Sequence, residues 1–298
     1  MSASATLTVQ DIEVFAGSLD VKHAAEIYKE HGALVVRGLM KPYIEQVRAD
    51  IEAAAAQALA LIDKARKIPE GWAGVDGTLF LPAPKNYGRE KQIMVLACTY
   101  TSSAAFFRSA FDPKTIALAS AVLGPNVELF LNGQCLYKEP VGGHAKHLHQ
   151  DAAYFEHRYE GPFGMLNYAV PTDLNNGALH VIPGTHRMGV LPHIDTSSHL
   201  GLDEHEWPWE RALAICGEPG DSIFFHVKTV HGSKSNFSKA PRPVFIHRYR
   251  RADDYVVVSA TSTENRANAE QRVKEAKKEN QVGFMVCGRR TYDEGRMV

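Results

Sequence analysis

The string His144-Ala145-Lys146-His147-Leu148-His149-Gln150-Asp151 is the densest group of metal-ligating side chains in the 298-residue chain. It follows Gly142-Gly143 and ends the first run of β-forming residues. On a strand, residues i and i+2 point to one face, so His149 and Asp151, and with them His147, are predicted to aim at a common centre. That arrangement can chelate a divalent metal, and three chemistries compete for it. A zinc hydrolase would read the string as the start of HxHxDH, but Ala152 stands where the last histidine belongs, and the second zinc site loses a ligand. A 2-His-1-carboxylate triad would combine His149 and Asp151 with one distant histidine and leave three iron positions open for cosubstrate and oxygen. A non-catalytic metal- or ligand-binding β-barrel is the third reading.

The triad requires another histidine on a later strand. His231 follows Asp151 by 80 residues, after the turn Gly220-Asp221 and the apolar run Ser222-Ile223-Phe224-Phe225, which would deliver it to a barrel mouth. His226 is its rival, placed at the end of that run. Iron activates oxygen productively only with an electron source, and 2-oxoglutarate can chelate the metal through its C1 carboxylate and C2 ketone. Its C5 carboxylate then needs a permanent cation, for which the planar arginine fork is suited. Arg242 and Arg248 follow His231 by 11 and 17 residues, and Arg242, just before the apolar run of its strand, is preferred.

These residues need a scaffold. Val21–His31 reads as a helix stopped by Gly32, Ala33–Arg37 as a strand, and Lys41–Lys67 as a long amphipathic helix with Ile44, Val47, Ile51, Ala55, Ala58 and Ile62 on one face. Ile68–Glu90 has no clean period and reads as a long ordered loop, of the kind that serves as a substrate lid. Pro113–Leu123 is a second short helix. Beyond it come short β runs at 127–131, 135–137, 165–170, 178–182, 222–226 and 244–249, separated by turn residues. Helices followed by many short strands predict a mainly β fold with flanking α-helices, a barrel or jelly roll. One domain is expected over 1–298: helical support and lid at about 20–125, β core at 126–250, and a C-terminal helix (Asn265–Asn280) and tail at 251–298. Val282–Cys287 could pack on a second subunit, giving a homodimer, or back on its own barrel.

Composition excludes several classes. With 33 Lys+Arg against 34 Asp+Glu the net charge is −1, so no electrostatic footprint for nucleic acid or an anionic membrane is present. Four scattered cysteines form no CxxC pair, no basic and apolar leader opens the chain, and no stretch approaches the roughly 20 apolar residues of a membrane span. A soluble, cytoplasmic protein acting on a small molecule is the expectation. Histidine is abundant, at 14 residues.

Taken in order, the strings His149-Gln150-Asp151-Ala152-Ala153-Tyr154-Phe155, Asn176 through Arg187, Gly220-Asp221-Ser222-Ile223-Phe224-Phe225-His226, His231-Gly232-Ser233 to Asn236, and Pro241-Arg242 resemble the phytanoyl-CoA dioxygenase family. The likeness runs from about Ala25 to Tyr249. It implies a double-stranded β-helix (a cupin-like jelly roll) and a dioxygenase using Fe(II), 2-oxoglutarate and O2, with ascorbate assisting. It further implies His149, Asp151 and His231 as iron ligands, Arg242 with Ser233 at the C5 carboxylate, and Gln134 against the cosubstrate. Asn167 replaces a tryptophan that many members place beside 2-oxoglutarate and is expected to line the same pocket. Related halogenases replace the aspartate by Gly or Ala, so Asp151 favours hydroxylation or another oxidation over halogenation. Lys146, Tyr154 and Phe155 are expected to contact substrate. Lys85, Arg89, Lys91 and Lys146 are the cations available for the phosphates of an acyl-CoA. His180 and His186 read as packing residues.

Overall fold

The computed structural model describes residues 7–69, 71–85, 87–159, 162–196, 200–257 and 282–290, so the helix expected at Asn265–Asn280 lies outside the described residues. In chain order the elements are β1 (Glu13–Phe15), α1 (Val21–His31), β2 (Ala33–Arg37), α2 (Ile44–Ala60), β3 (Arg66–Ile68), β4 (Gly71–Ala73), β5 (Leu79–Pro82), β6 (Lys91–Leu96), α3 (Ala104–Ser109), α4 (Pro113–Leu123), β7 (Val127–Leu129) and β8 (Gln134–Lys138). There follow β9 (Lys146–His149), β10 (Glu156–His157), β11 (Phe163–Tyr168), β12 (Leu179–Ile182), β13 (Ile194–Asp195), β14 (Leu200–Gly201), β15 (Leu213–Ile215), β16 (Ser222–His226), β17 (Val230–Ser233), β18 (Arg242–Arg251), β19 (Val256–Val257) and β20 (Phe284–Cys287).

Two sheets face each other. The larger runs β1-β2-β16-β11-β18-β8-β6-β5-β4-β3, with β7 and then β20 continuing beside the end of β18; the smaller is β15-β12-β17-β9. From β8 to β18 the chain passes back and forth between the two sheets, which is the double-stranded β-helix expected. Because strand side chains alternate, each strand of the larger sheet supplies both of its faces. Leu166, Tyr168, Ile223, Phe225, Val244 and Ile246 point inward and meet Leu179, Val181 and Ile215 of the smaller sheet. Phe163, Met165, Phe224, Phe245 and Tyr249 point outward and bury Ala24, Tyr28, Val47, Ile51, Ala55 and Leu118 of the helices. The apolar stripe of α2 therefore buttresses the sheet.

The helix ends follow their caps. Asp20 accepts the N–H groups of Lys22 and His23 at the start of α1, and Asp112 those of Lys114 and Thr115 at the start of α4. At the other end of α1, Gly32 sits at φ +66° and its N–H bonds the Tyr28 carbonyl. A Cβ there would lie 2.3 Å from Nδ1 of His186 and 2.7 Å from the Thr229 hydroxyl, so only glycine fits.

Ile68–Glu90 is not one continuous loop: it contains β4 and β5, which with β3 and β6 extend the larger sheet as a meander, while the described residues at 74–78 and 83–90 stay irregular. Strands of three or four residues carry too few alternations for a period to show. Glu139, buried beneath this meander, accepts from the Ile93 N–H at 2.8 Å, from the Tyr87 hydroxyl and from Arg89. At the other terminus, Phe284–Cys287 pairs with β7 of its own chain, and Phe284 packs edge-on to Phe107. The Val282–Cys287 stretch thus packs on its own sheet. Among the described residues no helix is long and apolar enough to cross a membrane.

Candidate functional site

β9 of the smaller sheet ends at His149, and a single 3-10 turn, Asp151–Ala153, follows it. β17 lies antiparallel beside β9 and sets His231 directly opposite His149. The side chains of His149, Asp151 and His231 converge: Oδ1 of Asp151 lies 3.6 Å from Nε2 of His149 and 3.7 Å from Nε2 of His231, and the three ligand atoms fall within 4.8 Å of one another. Asp151 reaches this centre from a turn and not from the strand itself. His226, the rival ligand, is on β16, where its Nδ1 accepts the Lys228 N–H at 3.0 Å and its ring lies beside His186. His180 bonds the Ala178 carbonyl and stacks edge-on against Trp209.

The imidazoles are oriented by their outer nitrogens. Nδ1 of His149 donates to the His147 carbonyl at 2.8 Å, and Nδ1 of His231 to the Thr229 carbonyl at 2.9 Å. A carbonyl can only accept, so both protons sit on Nδ1 and both Nε2 lone pairs face inward, the tautomer a metal requires. Burial, together with His149 nearby, pushes His231 down to about 4, which keeps it neutral at physiological pH. Burial alone would raise the Asp151 carboxyl, yet the two imidazoles beside it and the Arg248 guanidinium, 3.8 Å away, hold it well below the ordinary carboxylate range. Two imidazoles held through Nδ1 and one carboxylate, all buried, are a donor set that fits a divalent iron and leaves one side of the ion to exogenous ligands.

Register decides which neighbours join the centre. Between His231 and Ser233 the pairing slips by one residue, so that Ser233 lies opposite Lys146. This bulge turns Lys146 to the inner face and sends His147 outward, where Nδ1 meets Glu204 at 2.9 Å. His147 is therefore not brought to the centre, contrary to simple alternation. Gly232 permits the close approach: a Cβ there would stand 2.8 Å from the Lys146 carbonyl. Burial pushes the Lys146 ammonium down to about 8, although Asp151 opposes the shift.

β18 contributes Arg242, Val244, Ile246 and Arg248 to the inner face. Arg242, at the far end, donates to the Gly177 carbonyl and, at 3.4 Å, to that of Asn176; burial lowers it to about 10, so it stays charged. Arg248 lies at the metal end, its Nε 3.8 Å from Oδ2 of Asp151, and its Nη2 donates to Oε1 of Gln134 at 3.0 Å. Gln134 thus faces the site through Arg248. Lys138, deep in the barrel, donates to the carbonyls of His144, Ser233 and Lys234. Tyr154 stands edge-on to His149 at 6.1 Å, and the Phe155 ring lies 6.0 Å from the Arg248 guanidinium while packing on Phe130.

Asn167 is not brought to the centre. It shares the outer face of β11 with Phe163 and Met165, where its amide donates to the carbonyls of Met165 and Phe245 and accepts from the Ser222 hydroxyl. Its partner strands turn it to the helical side, so it braces the sheet and does not line the cosubstrate pocket. Of the cations considered for phosphates, Arg89 pairs with Glu139, and Lys91 donates to the Ile62 carbonyl.

Sequence reasoning missed Gln150 and His193. The Gln150 side chain points away from the candidate metal ligands on either side of it, donates to the carbonyls of Gly189 and Lys228, and accepts the Leu191 N–H. Its backbone N–H donates to Nε2 of His193. Nothing local marks these partners, because they come from segments about 40 and 78 residues away.

A jelly roll that holds His-x-Asp and a distal histidine on its inner face defines the class of 2-oxoglutarate-dependent oxygenases. The profile of that class described as phytanoyl-CoA dioxygenase matches residues 28–244. The chain belongs to the phytanoyl-CoA dioxygenase family and is an Fe(II)- and 2-oxoglutarate-dependent dioxygenase. The peroxisomal phytanoyl-CoA dioxygenase of Rattus norvegicus is 26% identical over 257 residues, covering 80% of this chain and 71% of the relative. A probable alpha-ketoglutarate-dependent hypophosphite dioxygenase of Stutzerimonas stutzeri is 30% identical over 148 residues, 47% of this chain and 51% of that one. Among solved structures, EctD from S. alaskensis with 2-oxoglutarate and 5-hydroxyectoine aligns with TM-score 0.57 at 19% identity, over 79% of this chain and 77% of that one. The carbocyclase SnoK of nogalamycin biosynthesis aligns with TM-score 0.59 at 17% identity, over 87% and 93%. These two likenesses concern the fold.

Proposed function

We propose that His149, Asp151 and His231 hold Fe(II), that Arg242 and Ser233 bind the C5 carboxylate of 2-oxoglutarate, and that the enzyme hydroxylates an unactivated C–H bond of a small, apolar or natural-product-like molecule. The observation that carries this reading is the convergence of the three ligands on the inner face, with Arg242 on the same face of β18. Bound there, iron and 2-oxoglutarate would let O2 act as the oxidant, two electrons coming from 2-oxoglutarate, which leaves as succinate and CO2, and two from the C–H bond. The chain's own part is orientation and exclusion. The Nδ1 bonds of both histidines aim their Nε2 atoms, and the ionised Asp151 adds one negative charge at the metal. Phe225, whose ring lies 4.3 Å from that of His231, packs an apolar face against that imidazole. Gln134 acts at the cosubstrate, and Lys146, Tyr154 and Phe155 act at the substrate side.

On this reading the partner is a small-molecule substrate, with neither nucleic acid nor membrane involved, in the cytoplasm. A homodimer is the assembly to test by size-exclusion chromatography with light scattering. The activity test measures succinate formation with Fe(II), ascorbate, 2-oxoglutarate and O2, in wild type and in His149→Ala. Iron-dependent succinate that disappears in the variant supports the proposal. Tight zinc binding with hydrolysis would favour the hydrolase, and metal binding with no turnover across a broad substrate panel the binding barrel.

A further inference from the structure

Once Fe(II) and 2-oxoglutarate are assigned as above, one buried guanidinium, that of Arg248, stays beside the metal with Asp151, which the iron would claim, as its counter-charge. The two positive charges of the iron are matched by Asp151 and the chelating carboxylate, and the second carboxylate by Arg242. Lys138 already donates to three carbonyls. Arg248 is different: it is only 8% exposed, its Nη2 is held by Gln134, and its Nε is a buried donor with no hydrogen-bond partner. A buried charged donor without a hydrogen bond is costly, so such a group points to a ligand that would accept from it. Six residues of β18 separate it from Arg242, about 20 Å along an extended strand, which puts the two guanidinium anchors at opposite ends of the pocket. Across the barrel, Lys146 brings a second cation, an ammonium, to the inner face, and the carboxylate that faces both is Asp151.

We propose that Arg248, braced by Gln134 and assisted by Lys146, docks an oxyanion of the primary substrate, a carboxylate or phosphoryl group carried close to the C–H bond that is oxidised. Guanidinium binds either oxyanion through paired N–H donors, and the low-dielectric surroundings strengthen the pairing. Arg248 thereby selects substrate orientation as well as charge, because an anion fixed there fixes which carbon approaches the metal. This inference rests on the oxygenase reading of the site.

The test uses the full chain, loaded with Mn(II) and saturated with 2-oxoglutarate without oxygen, and follows thermal melting with matched probes. Phenylacetate is compared with phenylacetamide, hexanoate with hexanamide, and butylphosphonate with butanol. At least one anion is expected to raise the melting temperature while its neutral counterpart does not. Arg248→Met should weaken that anion roughly tenfold or more, Arg248→Lys should restore part of the binding, and both should keep the shift produced by 2-oxoglutarate. Lys146→Met should weaken the anion to a smaller extent. The proposal is overturned if no anion binds, if neutral probes bind equally, or if Arg248→Met leaves anion binding intact. It is also overturned if Arg248→Met removes the 2-oxoglutarate shift instead, since Arg248 would then serve the cosubstrate. A wild-type protein with no metal- or 2-oxoglutarate-dependent shift would point to failure of the oxygenase reading itself.

Discussion

The backbone N–H of Gln150, the residue between two metal ligands, donates to Nε2 of His193 at 2.9 Å, while Nδ1 of His193 donates to the Leu191 carbonyl at 2.8 Å. His193 is thereby a neutral spacer between the ligand turn and the 189–193 segment, and the Gln150 side chain doubles the connection. Gln150→Leu removes three hydrogen bonds and leaves buried backbone groups unpaired. It should lower stability by about 2–4 kcal/mol and weaken metal binding by tenfold or more. Urea unfolding and an Fe(II) or Mn(II) titration would check both, and unchanged metal affinity would show that the turn holds its shape without the clamp.

The two arginines of β18 should separate kinetically. Arg242→Ala removes the charge-assisted anchor of the C5 carboxylate and should raise the apparent KM for 2-oxoglutarate by roughly ten- to hundredfold. Succinate formation at varied 2-oxoglutarate reports it. If only Arg248→Ala produces that rise, the anchor is Arg248.

Gly32 couples α1 to the distal ligand. Its carbonyl accepts the Thr229 hydroxyl at 2.6 Å, and the Thr229 carbonyl orients His231. Gly32→Ala places a side chain in the left-handed region, at roughly 1–2 kcal/mol, and against His186 and Thr229 as well. A total loss of about 2 kcal/mol or more is expected in thermal unfolding, with weaker metal binding because Thr229 must shift.

Stability of the metal-free protein should fall with acid below neutrality. His247 is fully buried, bonded to the Tyr100 hydroxyl and the Ser109 hydroxyl, and burial pushes it down to about 3. Above about pH 6.5, the unfolded value, neither state carries its proton and the stability is fully present. As pH falls toward 3, the unfolded chain binds a proton that the folded one refuses, and stability declines by up to about 1.4 kcal/mol per pH unit. His193 and His231, both near 4 through burial, act in the same direction. Urea unfolding at pH 7 and pH 5 should show the loss, and His247→Gln should reduce its slope by about one proton without abolishing it.

The sequence by itself determined the chemistry and the order of its parts. The convergence of His149-x-Asp151 with His231 was legible because metal chelation demands those residue types, whatever the fold around them, and Arg242 stood out as a permanent cation suited to a carboxylate. Helices α1 and α4 were legible in full, because Asp20 and Gly32, and Asp112 with Pro113, are local signals for starting and stopping a helix. Tertiary structure decided which neighbours belong to the site. On a strand each residue has two faces available, and the choice between them is made by pairing partners many residues away. One bulge opposite Gly232 exchanged Lys146 for His147; the pairing of β11 with β16 and β18 turned Asn167 to the helices; the long β18 carried Arg248 inward beside Asp151. The meander at 66–96 was likewise invisible locally, since strands of three or four residues become strands only when a sheet edge is present to bond them.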